Sequence, residues 1–120
     1  MPLERRRPGH VRFPLRVSAL MFEEAKPSRR PTPGETRDIS RGGVRLRVDA
    51  AATSPSNQVE VILRLVHRPP LCLRGTVVWS DGQPDPSGRD LGIQFTEEIP
   101  HQLVAEIAHE VCRGSTWPAG

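Results

Sequence analysis

The sequence is poor in aromatic residues: its 120 residues include three phenylalanines, two tryptophans and no tyrosine. A hydrophobic core must therefore be built mainly from Val, Leu and Ile, and a chain of this length supplies one core of modest size. No apolar run approaches the roughly 20 residues of a membrane-spanning helix. The charged N-terminus lacks the apolar centre of a signal peptide. These absences predict a single cytoplasmic domain that does not cross a membrane.

Residues that bind metals or carry out catalysis are also scarce. The two cysteines, Cys72 and Cys112, have neither metal-ligand spacing nor the density of a disulfide framework, so we expect free thiols in a reducing compartment. The four histidines are scattered along the chain, at His10, His67, His101 and His109. The sequence contains no nucleophile elbow and no phosphate-binding P-loop. It therefore predicts no metal, no cofactor and no enzymatic activity.

Short amphipathic segments separated by turns fill most of the chain, which has thirteen prolines and ten glycines. Alternating apolar and polar residues predict strands at 11–21, 36–39, 44–48, 59–65, 71–79 and 91–95. Val11 and Trp79 are predicted to face the core, and residues 26–34 and 80–90 are expected to be loops. Pro14 cannot donate a ladder hydrogen bond, so it is expected at an edge or a bulge. The pattern is typical of an antiparallel barrel.

The last part of the sequence predicts a helix over residues 98–113, followed by a frayed tail at 114–120. Apolar residues recur there at intervals of three and four and form one stripe: Ile99, Leu103, Val104, Ile107, Ala108 and Val111. Pro100 suits an early helical position, and Gly114 can end the helix. The stripe could pack on one end of the barrel or form a dimer interface, and the sequence alone leaves both open.

Charge is distributed unevenly along the chain. Residues 1–30 contain eight Lys or Arg and three Asp or Glu, net +5, whereas residues 31–120 contain nine and eleven, net −2. The N-terminal excess includes Arg5, Arg6, Arg7 and Arg12. A positive cluster of this kind suits a phosphate ligand or a nucleic-acid backbone, or it is simply a solvated basic tail.

A second polar motif, Asp38-Ile39-Ser40-Arg41-Gly42-Gly43, precedes the strand predicted at 44–48. Guanidinium groups bind phosphate and the guanine edge bidentately and stack on bases, and a carboxylate can accept from a guanine N–H. The arginines and this motif together supply the groups that a guanine-bearing phosphate ligand needs. The same residues could instead only build a turn, with Asp38 and Ser40 bonding nearby backbone and Gly43 supplying a positive φ.

The arginine cluster, the Asp38-x-Ser40-x-x-Gly43 motif and the strands ending in Trp79 and Phe95 together resemble the PilZ domain, the bacterial receptor module for cyclic di-GMP. The resemblance covers nearly the whole chain. It implies an all-β fold in which a six-stranded antiparallel barrel is followed by a C-terminal helix. It also implies four segments: a flexible basic clamp at 1–12, the barrel at 12–97, the helix at 98–113 and the frayed tail at 114–120.

The resemblance further implies that cyclic di-GMP binds between an N-terminal RxxxR loop and the D/N-x-S-x-x-G strand. Carried over to this chain, the binding residues are Arg6, Arg7, Arg12, Asp38, Ser40, Gly42 and Gly43. One departure affects the clamp. Pro8 stands four positions before Arg12, and the nearest upstream arginine, Arg7, is five positions away. Because Pro8-Gly9 readily forms a tight loop, the extra residue either bulges out or disrupts the clamp.

The resemblance implies a receptor and adaptor that binds cyclic di-GMP, changes conformation and signals to a partner protein in trans. Two alternatives stay open. A degenerate PilZ module would keep the barrel, lose the ligand and act by binding another protein, which the longer spacing between the arginines favours. A nucleic-acid binder would use the basic N-terminus, but five aromatic residues leave few platforms for base stacking, so DNA binding is not expected.

Overall fold

The computed structural model describes residues 11–25, 30–49, 58–81 and 88–116. In these residues the elements follow in the order β1 (Phe13–Pro14), β2 (Ser18–Glu23), β3 (Thr32–Ile39), β4 (Gly43–Val48), β5 (Gln58–Leu63), β6 (Leu71–Ser80), β7 (Arg89–Phe95) and α1 (His101–Thr116). None of the helical structure in these ranges is long and apolar enough to span a bilayer.

Six of the strands close into an antiparallel barrel. Hydrogen-bonded neighbours follow the order β3-β2-β5-β6-β7-β4, and pairing of β3 with β4 completes the ring. The short strand β1 pairs with β3 beyond the end of β2, where Pro14 lies opposite Asp38. The predicted fold class, a six-stranded antiparallel barrel with a C-terminal helix, is confirmed.

The strand predicted at 11–21 is broken in two. Residues 15–17 lie outside the two strands, next to Thr36, a fully buried residue of β3, and they keep two backbone bonds to β3, from Leu15 N–H to the Arg37 carbonyl and from Thr36 N–H to the Val17 carbonyl. The hydroxyl of Thr36 accepts a hydrogen bond from Val17 N–H at 2.9 Å and donates one to the carbonyl of Leu15 at 2.5 Å. One side chain therefore satisfies backbone groups that the missing ladder leaves open, so the break costs no buried donor or acceptor there.

The break changes the environment of the first residues of this segment. Val11, predicted to face the core, is 50% exposed, so that prediction is wrong. Beyond the break, Ala19 and Met21 are buried as their alternation predicts. β1 is the terminal strand of the sheet order, and Pro14 lies in it, as expected for a residue without an N–H donor.

The strand β3 begins at Thr32 rather than at Thr36, so part of the segment expected to be a loop is a strand. Thr32 lies opposite Met21 of β2, and Gly34 lies opposite Val48 of β4. Pairing with two neighbouring strands outweighs the local preference of proline and glycine for turns, which is a weak determinant inside a sheet.

A bulge in β6 changes which of its side chains face the core. Val77 lies opposite Ile93, but Trp79 lies opposite Gly92, so two steps along β6 match one step along β7. Before the bulge the predicted alternation holds, and Leu73 is buried. After it the alternation reverses, and Trp79, predicted to face the core, is 39% exposed and lies on the outer face. A one-residue shift exchanges the two faces of a strand.

The helix α1 packs its apolar stripe onto the barrel. It runs from His101 to Thr116 instead of from 98 to 113, so it continues past Gly114. The buried members of the stripe among the described side chains are Ile99, Val104, Ile107 and Ala108. Three of them belong to the same hydrophobic cluster as the barrel strands. Of the two possibilities that the sequence left open, packing on the barrel is the one observed for these residues.

Candidate functional site

The carboxylate of Asp38 lies at the centre of a charged cluster on the outer face of the barrel. Asp38 is near the end of β3, opposite Pro14 of β1 on one side and Arg45 of β4 on the other. Arg12 directly precedes β1 and places its Nη1 2.5 Å from Asp38 Oδ1, and Arg45 Nε lies 3.3 Å from Asp38 Oδ2. The carboxylate therefore lies between two guanidinium groups, one from the residue that precedes β1 and one from β4.

The three side chains of this cluster differ in exposure. The side chain of Asp38 is 17% exposed, that of Arg45 42% and that of Arg12 60%. The Nε atom of Arg45 is buried and makes no hydrogen bond within the described part of the chain, because its approach to Asp38 has the distance of an ion pair but not the geometry of a hydrogen bond. The accessible part of Arg45 is the rest of its side chain, which is 42% exposed and carries the positive charge that suits an anionic ligand.

Arg45 is a member of the cluster that sequence reasoning missed. Its position follows from the alternation of β4, in which Val44 and Leu46 are buried and Arg45 points to the outer face. The alternation was visible in the sequence. The pairing of β4 with β3 that brings Arg45 next to Asp38 was not.

Ser40 lies in the loop between β3 and β4 and is 5% exposed. Its hydroxyl oxygen accepts Gly42 N–H at 3.3 Å, and its own N–H donates to the Gly43 carbonyl at 2.9 Å. The turn-building role that the sequence allowed is therefore present for Ser40. No described residue accepts the hydroxyl proton of Ser40, so this side chain can still donate to a ligand.

Gly43 is required by a close approach of two strands. A Cβ atom at this position would lie 2.4 Å from the carbonyl oxygen of Ile93 on β7. Among the described residues the glycine with a positive φ is Gly88, so the alternative explanation of Gly43, that it supplies a positive φ, does not hold. The structural need at Gly43 is the absence of a side chain rather than an unusual backbone conformation.

The loop of residues 40–42 is bonded to the segment that leads into α1. Ile99 N–H donates to the carbonyl of Arg41 at 3.0 Å, and Phe95 N–H donates to the carbonyl of Gly42 at 2.8 Å. The guanidinium of Arg41 also lies 3.4 Å from the carboxylate of Glu98. The loop is therefore bonded directly to Phe95 at the end of β7 and to residues 98 and 99, which precede the helix.

Trp79 extends the cluster across the next two strands. Gly92 of β7 lies opposite Arg45 of β4 on one side and opposite Trp79 of β6 on the other. A Cβ atom at Gly92 would fall 2.1 Å from Trp79 Nε1, so the indole lies directly over this glycine. A partly exposed aromatic side chain in the same row of paired residues as an arginine is a platform on which a nucleobase can stack. The sequence signal for this contact was Gly92 itself, since a glycine inside a strand often marks close packing.

The predicted site is thus brought together for the part of it that the structure describes. These residues are Arg12, Asp38, Ser40, Gly42 and Gly43, to which the structure adds Arg45 and Trp79. Arg6 and Arg7 lie outside the described residues. Within the described ranges no group of three or more His, Cys, Asp or Glu side chains could hold a metal ion. These side chains are suited to bind an anion and the polar edge of a nucleobase.

Comparison with known proteins places this arrangement in a family context. A family model described as the PilZ domain matches residues 4–111. Among solved structures, the chain is similar to the PilZ domain with c-di-GMP of YcgR from Escherichia coli, with a TM-score of 0.70 and 11% identity over 95% of this chain and 98% of that one.

The chain is also similar to the Inhibitor of motility (MotI/DgrA) from Bacillus subtilis, with a TM-score of 0.65 and 14% identity over 92% of this chain. It spans about half of that protein, 54% of its length. No curated protein sequence matches the chain. At these identities the two structures share the fold with this chain, and the family model carries the relationship.

Proposed function

The chain belongs to the PilZ domain family, whose members are receptor and adaptor modules rather than enzymes, and we propose that it binds cyclic di-GMP and signals to a partner protein in trans. The observation that carries the proposal is the Asp38 carboxylate, held between Arg12 and Arg45. The YcgR domain that shares the fold was solved with c-di-GMP, which supports this choice of ligand.

Each group in the cluster has a role that its chemistry suits. Arg12 and Arg45 donate charge-assisted hydrogen bonds to phosphate oxygens of the ligand. The Asp38 carboxylate accepts N–H donors from the guanine edge, and Ser40 donates its free hydroxyl proton. Gly42 leaves the backbone of the loop open to close approach by the ligand, and Gly43 lets β4 lie close to β7 at the edge of the site. Arg6 and Arg7 are proposed to complete the clamp from the N-terminal side.

Trp79 provides a flat apolar surface for one guanine. The indole lies over Gly92, one strand away from Arg45, and 39% of Trp79 is exposed. Stacking of a base on an aromatic side chain contributes about 1–3 kcal/mol by alanine substitution. This is comparable to one charged hydrogen bond, so Trp79 would be a substantial part of the binding energy and a fluorescent reporter of it.

The two ion pairs of Asp38 reduce the ordering required on binding. Arg12 and Arg45 are both already placed at Asp38, at 2.5 and 3.3 Å. Holding two arginines near their bound positions lowers the conformational cost of capturing a phosphate. The clamp segment at 1–12, by contrast, is proposed to become ordered when the phosphates neutralise the mutual repulsion of its arginines.

The bonds between the 40–42 loop and the start of α1 supply a route for the signal. If the ligand moves Arg41 or Gly42, the hydrogen bonds from Ile99 and Phe95 transfer that movement to the base of the helix. A surface formed by α1 and β1 would then differ between the free and bound states, which is what a partner protein would detect. Titration of the ligand should shift the amide resonances of α1 in NMR spectra.

The exposure of Cys72 is relevant to the cellular compartment in which the protein works. It is an exposed free cysteine, which suits a reducing environment. We accordingly propose that the receptor is a bacterial cytoplasmic protein.

Calorimetric titration of the purified chain with cyclic di-GMP tests the proposal. The expected dissociation constant is about micromolar, which corresponds to roughly −8 kcal/mol. GTP and cyclic AMP serve as controls. GTP shares the guanine with the ligand and cyclic AMP shares the cyclic phosphate, but neither compound carries two copies of both groups. A salt-dependent affinity for random DNA that exceeds the affinity for cyclic di-GMP would instead indicate a nucleic-acid binder.

A degenerate PilZ module that binds only protein is the second candidate. It is favoured by one observation, the extra residue between Arg7 and Arg12. No detectable heat at millimolar cyclic di-GMP would establish this alternative in place of the receptor. The proposed route through α1 would then have to be driven by protein contacts alone.

A further inference from the structure

The strands β1 and β2 pair with β3 in different registers. Ser18 of β2 lies opposite Glu35, and Pro14 of β1 lies opposite Asp38. Four steps from Ser18 back to Pro14 therefore match three steps along β3. The segment between β1 and β2 contains one residue more than the stretch of β3 that it faces, as in a β-bulge.

The register changes at Arg16. Thr36 N–H donates to the carbonyl of Val17 at 2.9 Å, which continues the register of β2. Leu15 N–H donates to the carbonyl of Arg37 at 3.1 Å, which belongs to the register of β1. Arg16 lies between these two bonds, and its side chain is 69% exposed. Arg16 is therefore the extra residue.

The positions of apolar side chains explain why the register has to change. Residues that lie opposite each other in a sheet share a face. If the register of β2 continued, Leu15 would lie opposite Asp38 on the outer face, and Pro14 would lie opposite the fully buried Ile39. In the observed register Leu15 is only 2% exposed. The extra residue thus keeps Leu15 in the core while β1 lies alongside Asp38.

The hydroxyl of Thr36 bonds the backbone on both sides of the extra residue. It accepts Val17 N–H at 2.9 Å and donates to the carbonyl of Leu15 at 2.5 Å, and Thr36 is 0% exposed. Without the hydroxyl these two groups would lose buried hydrogen bonds, which is destabilising. Opening the segment to water would restore their bonds but detach β1, since β1 has two residue pairs with β3 and Pro14 lacks an N–H.

We propose that Thr36 is a positioning residue of the binding site, whose hydroxyl holds β1 on β3 and thereby places Arg12 at Asp38. Arg12 directly precedes β1, and its Nη1 lies 2.5 Å from the Asp38 carboxylate. Because the side chain of Arg12 is 60% exposed, its location depends on the backbone of β1 rather than on packing. The expected effect on ligand affinity rests on the proposed function, whereas the effect on β1 does not.

Calorimetric titration of variants with cyclic di-GMP tests the effect on affinity. Thr36→Val replaces the hydroxyl with a methyl group and should weaken binding by about ten-fold or more, the contribution of one charged hydrogen bond. Thr36→Ser keeps the hydroxyl and should retain most of the affinity. In an Arg12→Ala background Thr36→Val should cause no further loss, because both changes remove the same contact. Val61→Ala, at a fully buried residue of β5, is the control that lowers stability without changing affinity.

Amide hydrogen exchange, measured by NMR in the ligand-free chain, tests the effect on β1. The Leu15 amide donates to Arg37 of β3, so its exchange rate reports the attachment of this segment. Thr36→Val should accelerate exchange at Leu15 far more than at the amides of β5, and Thr36→Ser should not. A general loss of stability would instead accelerate exchange at Leu15 and in β5 by the same factor.

Three results would overturn the inference: wild-type affinity in a folded Thr36→Val variant, losses that add to that of Arg12→Ala, or equal acceleration of exchange at Leu15 and in β5. If Thr36→Val does not fold, Thr36→Ala takes its place, and its comparison with Thr36→Ser isolates the hydroxyl. A wild-type chain that does not bind cyclic di-GMP would refute the proposed function instead, and exchange at Leu15 would still decide whether Thr36 holds β1 in place.

Discussion

Replacing Asp38 with alanine should separate binding from folding. The carboxylate touches both Arg12 and Arg45, so its loss removes one ligand acceptor and the partner of two arginines. A hydrogen bond to a charged group contributes about 1.5–3 kcal/mol. At about 1.4 kcal/mol per factor of ten, affinity for cyclic di-GMP should fall by roughly ten- to a hundred-fold.

An opposing electrostatic effect has to be compared with this loss. Removing a carboxylate near an anionic ligand relieves repulsion, which for charges roughly 8 Å apart in water amounts to about 0.5 kcal/mol before salt screening. This is smaller than the lost hydrogen bond, so the net effect is weaker binding. An Asp38→Ala variant that binds cyclic di-GMP more tightly would refute the assignment of Asp38 as a base acceptor.

Stability should change little in the same variant. Both arginine side chains are more than a third exposed, and exposed ion pairs contribute roughly 0–1 kcal/mol each. We expect the melting temperature to move by only a few degrees, since about 1 kcal/mol corresponds to roughly 4 °C in a domain of this size. Calorimetric titration and thermal melting measured on one preparation give both quantities.

Asp90→Ala is the matched control for Asp38→Ala. Asp90 pairs with Arg47 at 2.9 Å, and its side chain is 19% exposed against 17% for Asp38. It lies on β7, which pairs with the other side of β4, two rows of paired residues away from the row that contains Asp38. The control should retain wild-type affinity. Equal losses in both variants would mean that overall charge, and not the Asp38 cluster, determines binding.

Three further predictions use glycines as probes. Deleting Gly9 restores three residues between the clamp arginines Arg7 and Arg12. The affinity for cyclic di-GMP, measured by titration, should stay the same or improve, because ordering a shorter loop costs less conformational entropy. A loss of affinity would argue against a bulged loop. Gly92→Ala, made in a Trp117→Phe background so that Trp79 is the tryptophan observed, should displace the indole of Trp79. The fluorescence of Trp79 should then shift to longer wavelength, and ligand binding should weaken. Unchanged emission would contradict the observed contact between Gly92 and the indole. Gly43→Ala should lower the free energy of unfolding by about 1–3 kcal/mol in denaturant titrations, because the new Cβ atom would lie 2.4 Å from the backbone carbonyl oxygen of Ile93. Wild-type stability in this variant would show that β4 and β7 can move apart at no energetic cost.

Several features of this protein were determined by the sequence alone. Alternation with a period of two predicted the barrel strands, and apolar residues at intervals of three and four predicted the helix. The missing donor of Pro14 predicted an edge or a bulge, and Pro14 lies in the terminal strand of the sheet order. Arg12, Asp38 and Ser40 were identified as candidates from their residue types and from the resemblance of their motifs to those of the PilZ domain. These signals are local, because they depend on side chains and backbone groups a few residues apart.

The tertiary structure decided the features that depend on contacts between distant parts of the chain. Thr36 breaks the first strand with bonds to residues 19 and 21 positions away, and the bulge before Trp79 exists only as a mismatch with β7. Arg45 joined the site because β4 pairs with β3, and Trp79 joined it because Gly92 leaves room for an indole. Alternation with a period of two shows which residues of a strand share a face, but it does not show which other strand pairs with that strand. The register between strands therefore determined which side chains surround Asp38.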